Sequence, residues 1–248
     1  MRKWLLGFFL LFAGLAHAQF FSTQKGTKLY YKSEDYNDGK HQVTTDTVLI
    51  KEVYTRGDTL MVKQENLGRE SELLEGNEIF TFSLAKDGIT HLSFMNARDG
   101  VGLIKENFMK GFQDMELTGG LKKTPDEREA DFREYQKHVS CEGDVSLSLN
   151  PKAQKGDKLP ETKFQYKLGP VSMRAAIDKG LVEGFESVTT PVGTFRCLKI
   201  TYRMQYKIMF FSEKVYVTEW YAENIGLVKR VETDKKGKVL FNSTLIRK

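Results

Sequence analysis

The strongest constraint on the fold of this chain is a strict alternation of apolar and polar residues between positions 198 and 207. The apolar residues fall on the even positions and the polar residues on the odd positions. They are Leu198, Ile200, Tyr202, Met204 and Tyr206, opposed by Lys199, Thr201, Arg203, Gln205 and Lys207. Successive side chains of a β-strand point to opposite faces, so this segment predicts a half-buried antiparallel strand with one face in water.

Short turn signals separate further runs that alternate in the same way. Each signal places Gly next to or near Asp, Asn or Lys, which is the composition of a hairpin turn. The signals are Asn37-Asp38-Gly39-Lys40, Arg56-Gly57-Asp58, Lys86-Asp87-Gly88, Asp178-Lys179-Gly180 and Asp234-Lys235-Lys236-Gly237. Their spacing predicts roughly ten strands, and a sheet of that size must curl or fold over. We therefore expect a mainly β fold with a large curved antiparallel sheet, arranged as a half-barrel or a two-layer sandwich.

The middle of the chain, about residues 100–139, departs from this pattern. Thr124 is a typical helix N-cap, Pro125 suits the first helical position and Glu127 completes a capping box, so a helix is predicted from there to about residue 138. Upstream, apolar residues also recur at helical spacing. They are Val101, Ile104, Phe108, Phe112 and Met115. One or two short helices are therefore expected to interrupt the sheet and cover an opening.

The N-terminal segment, residues 1–18, has the three parts of a secretion signal. Met1–Lys3 is positively charged, Trp4–Leu15 is apolar, and Ala16-His17-Ala18 fits the small-x-small cleavage pattern. The apolar run is shorter than the roughly 20 residues of a membrane-spanning helix. We predict cleavage before Gln19 and export to the periplasm or the extracellular space. No Cys follows the run, so we expect a soluble mature chain rather than a lipoprotein, with no transmembrane span.

Residues 19–248 are expected to form a single β-rich domain, with a boundary near residue 140 as the alternative. The chain is 40% hydrophobic with only 5 Pro and 2 Cys, which excludes disordered, collagen-like and disulfide-dense classes. Loss of Arg2 and Lys3 lowers the formal net charge from +5 to +3. No block of Lys or Arg remains, so nucleic acid is not an expected partner.

The sequence contains no recognisable catalytic, cofactor-binding or metal-binding motif. His41, His91 and His138 are not at metal-ligand spacing, and neither Cys belongs to a Cys-x-x-Cys pair. A nucleophile elbow, a phosphate-binding loop and a dinucleotide fingerprint are absent as well. We therefore expect a non-enzymatic protein with no cofactor.

Cys141 and Cys197 leave two alternatives open. Two cysteines in an oxidising compartment favour one disulfide, which would close a loop of about 55 residues and stabilise the fold by roughly 4 kcal/mol. Cys141 shares its parity with the apolar Val145 and Leu147, whereas Cys197 shares its parity with Lys199 on the wetter face. The other alternative is two unpaired thiols in separate layers.

Four aromatic residues mark the end of the alternating strand and its continuation: Tyr202, Tyr206, Phe210 and Phe211. Such a stripe either fills the core or lines an open concavity of a curled sheet, where apolar ligands bind in related architectures. An apolar small molecule or a lipid would be the ligand of that concavity. An interaction or assembly module that binds another envelope protein is the alternative function.

Three C-terminal stretches carry a family resemblance: Lys155–Pro160, Thr189–Ile200 and Glu219–Lys229. Their order and spacing resemble the TapB-type branch of the exported bacterial family known as domain of unknown function 3108. Lys25-Gly26-Thr27 and the turn at 37–40 suit its N-terminal half. The resemblance implies an antiparallel β domain of the cell envelope, and it supplies no established activity and no catalytic residues.

The residues of these stretches also have a structural interpretation. Pro191 and Gly193 predict the turn that precedes the alternating strand, and Ile225-Gly226 predicts a second turn. Trp220 is predicted to be a core anchor, because a large aromatic residue in an alternating strand buries much apolar area.

Overall fold

The computed structural model describes residues 19–36, 41–67, 78–84, 87–96, 123–168, 171–208 and 211–248. Within them, twelve strands run up and down, each antiparallel to the next. The strands are β1 (Lys28–Asp35), β2 (Gln42–Arg56), β3 (Thr59–Asn66), β4 (Glu78–Leu84), β5 (Thr90–Asn96), β6 (Val139–Leu149), β7 (Thr162–Leu168), β8 (Val171–Thr190), β9 (Gly193–Ile208), β10 (Phe211–Ala222), β11 (Gly226–Thr233) and β12 (Val239–Arg247).

The mainly β fold with one large curved antiparallel sheet is confirmed. The sheet forms a closed barrel rather than a half-barrel or a two-layer sandwich, because its last strand, β12, pairs with its first strand, β1. Tyr31 lies opposite Leu245 and Ser33 lies opposite Ser243 in this pairing. Strands from both sides of residue 140 belong to the same barrel. Closure gives the first and the last strand of the sheet a neighbour on both sides.

Most of the predicted turns join neighbouring strands. Arg56-Gly57-Asp58 connects β2 to β3, and Asp87-Gly88 lies between β4 and β5. Asp234–Gly237 connects β11 to β12, where the Asp234 carboxylate accepts hydrogen bonds from the backbone N–H groups of Lys236 and Lys238. The turn signal at 37–40 lies outside the described residues.

The hairpin turn predicted at Asp178–Gly180 is wrong. These residues lie inside the long strand β8, where the register with β9 shifts between Asp178 and Leu181 and Lys179 has a φ of 52°. The loop between β6 and β7 lies along β8 at this point, and the Leu159 N–H donates to the Gly180 carbonyl oxygen. Because the loop supplies this backbone partner, the irregular residues form a bulge rather than a turn.

The predicted helix is confirmed as α1 (Pro125–Gln136). Its capping box is complete: the Thr124 hydroxyl accepts from the Glu127 N–H at 3.3 Å, and the Thr124 N–H donates to the Glu127 carboxylate at 2.7 Å. Phe132 is the buried residue of this helix. The second helix, predicted around 101–115, and the signal segment 1–18 lie outside the described residues.

The segment that precedes β1 lies across one end of the barrel. The Asn224 N–H, in the β10–β11 turn, donates to the Gln19 carbonyl oxygen at 2.7 Å. The Phe20 N–H donates to the Thr90 hydroxyl, at the start of β5, at 3.2 Å. Phe20 and Phe21 are fully buried in the main core. This end is named the N-terminal end below, and the opposite end, where β9 ends and β10 begins, is named the far end.

Candidate functional site

A cavity of about 530 Å³ lies inside the barrel. Phe20 of the N-terminal segment lines it and is fully buried, whereas Tyr206 of β9 also lines it and is 37% exposed. The more accessible side of the cavity therefore faces the far end. A volume of this size falls within the range of about 300–1,000 Å³ that is usual for small-molecule sites.

One wall of the cavity is apolar. Its side chains come from the arc of the barrel between β4 and β9. They are Phe82, Phe94, Val145, Ala175 and Met204. Each lies on the inward parity of its strand, which explains why neighbouring residues along the same strands are more polar.

The facing wall is largely polar. Its strands are β10 to β12 and β1 to β3, which are consecutive around the barrel. The polar lining includes Asp46, Gln64, Glu219, Arg230, Glu232 and Ser243. Val48, Leu227 and Phe241 lie among them. Because the two arcs face each other across the barrel, the cavity is amphipathic.

A buried charge cluster is the centre of the polar wall. Arg230 of β11 lies directly opposite Glu219 of β10, and its Nη1 is 2.8 Å from Oε1 of Glu219. Its Nε and Nη2 both contact Oε1 of Glu232 at 2.7 Å. The Tyr221 hydroxyl donates to Oε2 of Glu219 at 2.9 Å. Glu219 is only 1% exposed, so this carboxylate depends on protein partners rather than on water.

The surroundings of this cluster shift the pKa of its members. Burial raises the pKa of Glu219, although Arg230 opposes the change. Burial, followed by the Glu219 charge, raises the pKa values of Tyr202 and Tyr221. Burial by itself lowers the pKa of Arg230, but Tyr202, Glu219 and Glu232 outweigh it, and the pKa is raised. The guanidinium group therefore stays charged inside the barrel.

The polar wall continues from Arg230 towards β2. Ser243 of β12 lies opposite Arg230, and the Ser33 hydroxyl of β1 donates to the Ser243 hydroxyl at 3.1 Å. Asp46 of β2 lies opposite Tyr31 of β1 in the next pairing. Four neighbouring strands thus carry a continuous row of hydrogen-bonding side chains, with carboxylates at both ends.

The described members of the aromatic set predicted from the sequence do not all line the cavity. Tyr206 lines the cavity, and Tyr202 is 2% exposed within the main core. Phe211 is 63% exposed at the start of β10 and does not line the cavity. Phe210 lies outside the described residues.

The sequence interpretation missed the charge cluster. The signal was present in the parity of β10, where Glu219 follows Val215 and Val217 and precedes Tyr221 on the inward face. A charged residue on an apolar parity is unusual, because a buried charge needs a partner. That partner, Arg230, lies on the next strand, and only the pairing of the strands identifies it.

The two cysteines are not brought together, and both are free thiols. Cys141 is half-buried near the start of β6 at the far end, and Cys197 is fully buried near the start of β9 at the N-terminal end. The two strands are three apart in the sheet, which separates them by roughly 14 Å. A disulfide requires Cα atoms within about 7 Å of each other.

Cys197 is also not on a wet face. It belongs to a smaller buried cluster with Trp220, Ala222 and Ile225. Trp220 is 9% exposed, and its indole N–H donates to Oε1 of Glu186 at 2.6 Å. The cluster explains why the strand alternation alone misjudged the exposure of Cys197.

The comparisons with known proteins agree with the resemblance noted in the sequence. A family model described as DUF3108-like matches residues 123–245, which include all three motif stretches. No curated protein matches the chain.

Within the described residues, the helix present is too short and too polar to cross a bilayer.

Two solved structures are similar to the chain. One is a Bacteroides fragilis protein described as exported with a YmcC-like fold, at 18% identity and a TM-score of 0.59. The other is a Parabacteroides distasonis protein described as a lipoprotein, at 19% identity and a TM-score of 0.59. Each match covers 93% of this chain and 98% of the other. This likeness shows the fold.

A double-mutant cycle on the buried ion pair tests the energetics of the polar wall. We expect Glu219→Leu and Arg230→Met each to lower the free energy of unfolding by about 3 kcal/mol, because each leaves a buried charge without one of its charged partners. The double variant removes both charges, so its loss should be smaller than the sum by at least about 1 kcal/mol. Urea denaturation measures all four proteins.

The exposed pair Glu52 and Lys63 on the outer face is the matched control, with Nζ and Oε2 2.9 Å apart. Its cycle, Glu52→Leu with Lys63→Met, should give a coupling below about 1 kcal/mol. Equal couplings in the two cycles would contradict a buried, partner-dependent cluster.

Alkylation of the thiols tests the placement of the cysteines. In the folded protein at mildly alkaline pH, iodoacetamide should modify Cys141 faster than Cys197. Burial, followed by the nearby Glu186 charge, raises the pKa of Cys197 to about 12, and burial also raises the pKa of the half-exposed Cys141. Mass spectrometry of the modified peptides measures both rates. In urea without reductant both thiols should react, and no reaction there would demonstrate a disulfide instead.

Proposed function

Residues 123–245 belong to the DUF3108-like family, and we propose that this chain is a non-enzymatic, exported protein of the cell envelope that holds an amphipathic ligand, such as a lipid, inside its barrel. The single observation that carries the proposal is the amphipathic cavity of about 530 Å³. Protein interiors are close-packed and rarely contain voids larger than a water molecule. A cavity of this size is therefore better explained by an occupant than by imperfect packing.

The two walls define the kind of occupant. Phe82, Phe94 and Met204 offer an apolar surface to a hydrocarbon or aromatic body. Asp46 and Glu232, on the facing wall, offer hydrogen-bond acceptors to a polar group of the same molecule. A purely apolar ligand would exclude water from the second wall without replacing the hydrogen bonds that water makes there, so we assign an amphipathic one.

The described side chains give little support to catalysis. No His or Cys among them lines the cavity. His91 and Ser148 do make a contact of 3.0 Å between Nδ1 and Oγ, on β5 and β6. Both lie on the outward parity, since the neighbouring Leu92 and Leu147 are buried in the core. A nucleophile and base placed there would act outside the cavity.

A cavity-filling substitution tests the proposal. Ala175 lies on the apolar wall and is 2% exposed. We expect Ala175→Leu to weaken the binding of the fluorescent probe N-phenyl-1-naphthylamine by at least about tenfold, because the larger side chain occupies the space of the ligand. Fluorescence titration measures the affinity, and native mass spectrometry of protein purified from its own envelope identifies any retained molecule.

Ala176→Leu is the matched control, because Ala176 is the next residue on β8 and has the outward parity. It should bind the probe as the original chain does. Equal binding by the original chain and by Ala175→Leu, or no binding by any of the three proteins, would overturn the proposed function.

A second candidate function, an interaction module of the envelope, is supported by a different observation. Large hydrophobic side chains that are exposed in the described residues gather in the far half of the barrel. They are Val43, Leu67, Tyr206, Phe211, Tyr216 and Val239. Apolar residues gathered on one part of a surface are typical of a contact with another protein.

Crosslinking distinguishes this candidate from the first. If the far end binds an envelope protein, Phe211→Ser should lose a stoichiometric crosslinked partner and still bind N-phenyl-1-naphthylamine, because Phe211 does not line the cavity. Ala176→Leu is again the control and should keep the partner. Crosslinking in intact cells followed by mass spectrometry provides the measurement, and a partner retained by Phe211→Ser would contradict the candidate.

A further inference from the structure

We propose that the ligand of the barrel cavity is an amphipathic amine, whose ammonium group binds at the polar wall beside Asp46. This inference rests on the proposed function and adds the chemical class of the ligand. It follows from the excess of negative charge in the lining, from the carboxylates that already bind the Arg230 guanidinium, from the lack of a cationic partner for Asp46 and from the free side-chain amide of Gln64.

The lining of the cavity carries more negative than positive side chains. Three carboxylates line the cavity, from Asp46, Glu219 and Glu232, against the single guanidinium of Arg230. No Lys or His among the described residues lines it. The field inside the cavity therefore favours a cation, and the low dielectric of the interior strengthens that preference.

Arg230 is poorly placed to recognise an anion. Its Nη1 is bound to Glu219, and its Nε and Nη2 are bound to Glu232. A carboxylate or phosphate head group would have to displace one of these partners. It would also meet the like charges of the displaced carboxylate and of Asp46.

Asp46 has no cationic partner in the described part of the chain. It is 9% exposed, and its side-chain contact is a hydrogen bond of 3.3 Å from the Thr44 hydroxyl to Oδ1. A carboxylate removed from water is costly unless it is paired or fully hydrogen-bonded. An ammonium group in the cavity would supply the missing charge.

Gln64 is a second and independent indication of a polar ligand group. It is 8% exposed, lines the same cavity on β3, and its side-chain amide makes no hydrogen bond to the residues that the structure describes. Buried polar side chains in native proteins nearly always have a hydrogen-bond partner. The amide, on the strand next to the one that carries Asp46, faces the cavity and is available to bind a polar group there.

An organic amine fits the geometry better than a metal ion. Across the described ranges, no three His, Cys, Asp or Glu side chains lie close enough together to hold a metal ion. An ammonium group needs fewer charges, because its three N–H donors can be shared between one carboxylate and neutral oxygens. The apolar wall with Phe82, Phe94 and Met204 then contacts the body of the ligand.

The test compares three probes that share one dodecyl chain and differ in the head group: dodecylammonium, dodecanoate and dodecanol, each kept below micelle formation. Each probe competes with N-phenyl-1-naphthylamine for the full mature chain at neutral pH. We expect dodecylammonium to bind at least about tenfold more tightly than dodecanoate, with dodecanol between them, because one charge-assisted contact is worth about that factor.

Asp46→Asn should remove most of this preference by weakening the binding of dodecylammonium, because the amide keeps the shape of the carboxylate and loses its charge. Glu52→Gln removes a carboxylate from the outer face of the same strand, where Glu52 contacts Lys63, and is the matched control. The control should keep the full preference. Circular dichroism checks that each variant is folded. If Asp46→Asn does not fold, the preference for dodecylammonium is measured in Glu232→Gln instead.

The outcomes separate this inference from the function on which it rests. Equal binding of the three probes, or tighter binding of dodecanoate, overturns the amine and leaves the cavity function standing. A preference for dodecylammonium that persists in folded Asp46→Asn, or in Glu232→Gln where Asp46→Asn does not fold, also overturns it. If neither the dodecyl probes nor N-phenyl-1-naphthylamine binds, both the inference and the proposed function fail.

Discussion

The pairing of β1 with β12 is the interaction on which the rest of this structure depends. It joins the two ends of the strand sequence, with Ser33 opposite Ser243, and converts a curved sheet into a closed barrel. Closure separates an inner face from an outer face, so that inward side chains on both arcs lose contact with bulk water. The polar wall spans this seam, because its row of hydrogen-bonding side chains runs from β2 through β1 and β12 to β11.

Inside the closed barrel, burying the charged residues of the polar wall costs desolvation free energy. A buried ion pair is seldom more stabilising than well-packed apolar residues of the same size, since desolvation offsets the attraction. Glu219 and Arg230 nevertheless occupy inward positions opposite each other, and Glu232 adds a second carboxylate. The polar arc is therefore the part of the lining on which the proposed binding of an amphipathic ligand depends.

Local features of the fold could be predicted from the sequence where neighbouring residues decide them. The cap of α1 at Thr124 and the turn at Asp234–Gly237 depend on side chains that bond to backbone groups a few residues away. The bulge at Asp178–Gly180 could not be predicted, because its backbone partner comes from Leu159 in a distant loop. The burial of Cys197 could not be predicted for a similar reason, since the residues that bury it, such as Trp220, lie on another strand.

The sequence by itself determined the antiparallel strands, their inward and outward parities and the helix, because these follow from patterns with periods of two and 3.6 residues. The order of the turns also determined that neighbouring strands pair. Only the tertiary structure decided that the sheet closes, that Glu219 meets Arg230 and that Asp46 faces the same space as Phe82. The physical reason is that alternation assigns a residue to a face but not to a neighbour. Which charges share a cavity depends on register and closure, and both are set by contacts between strands far apart in the chain.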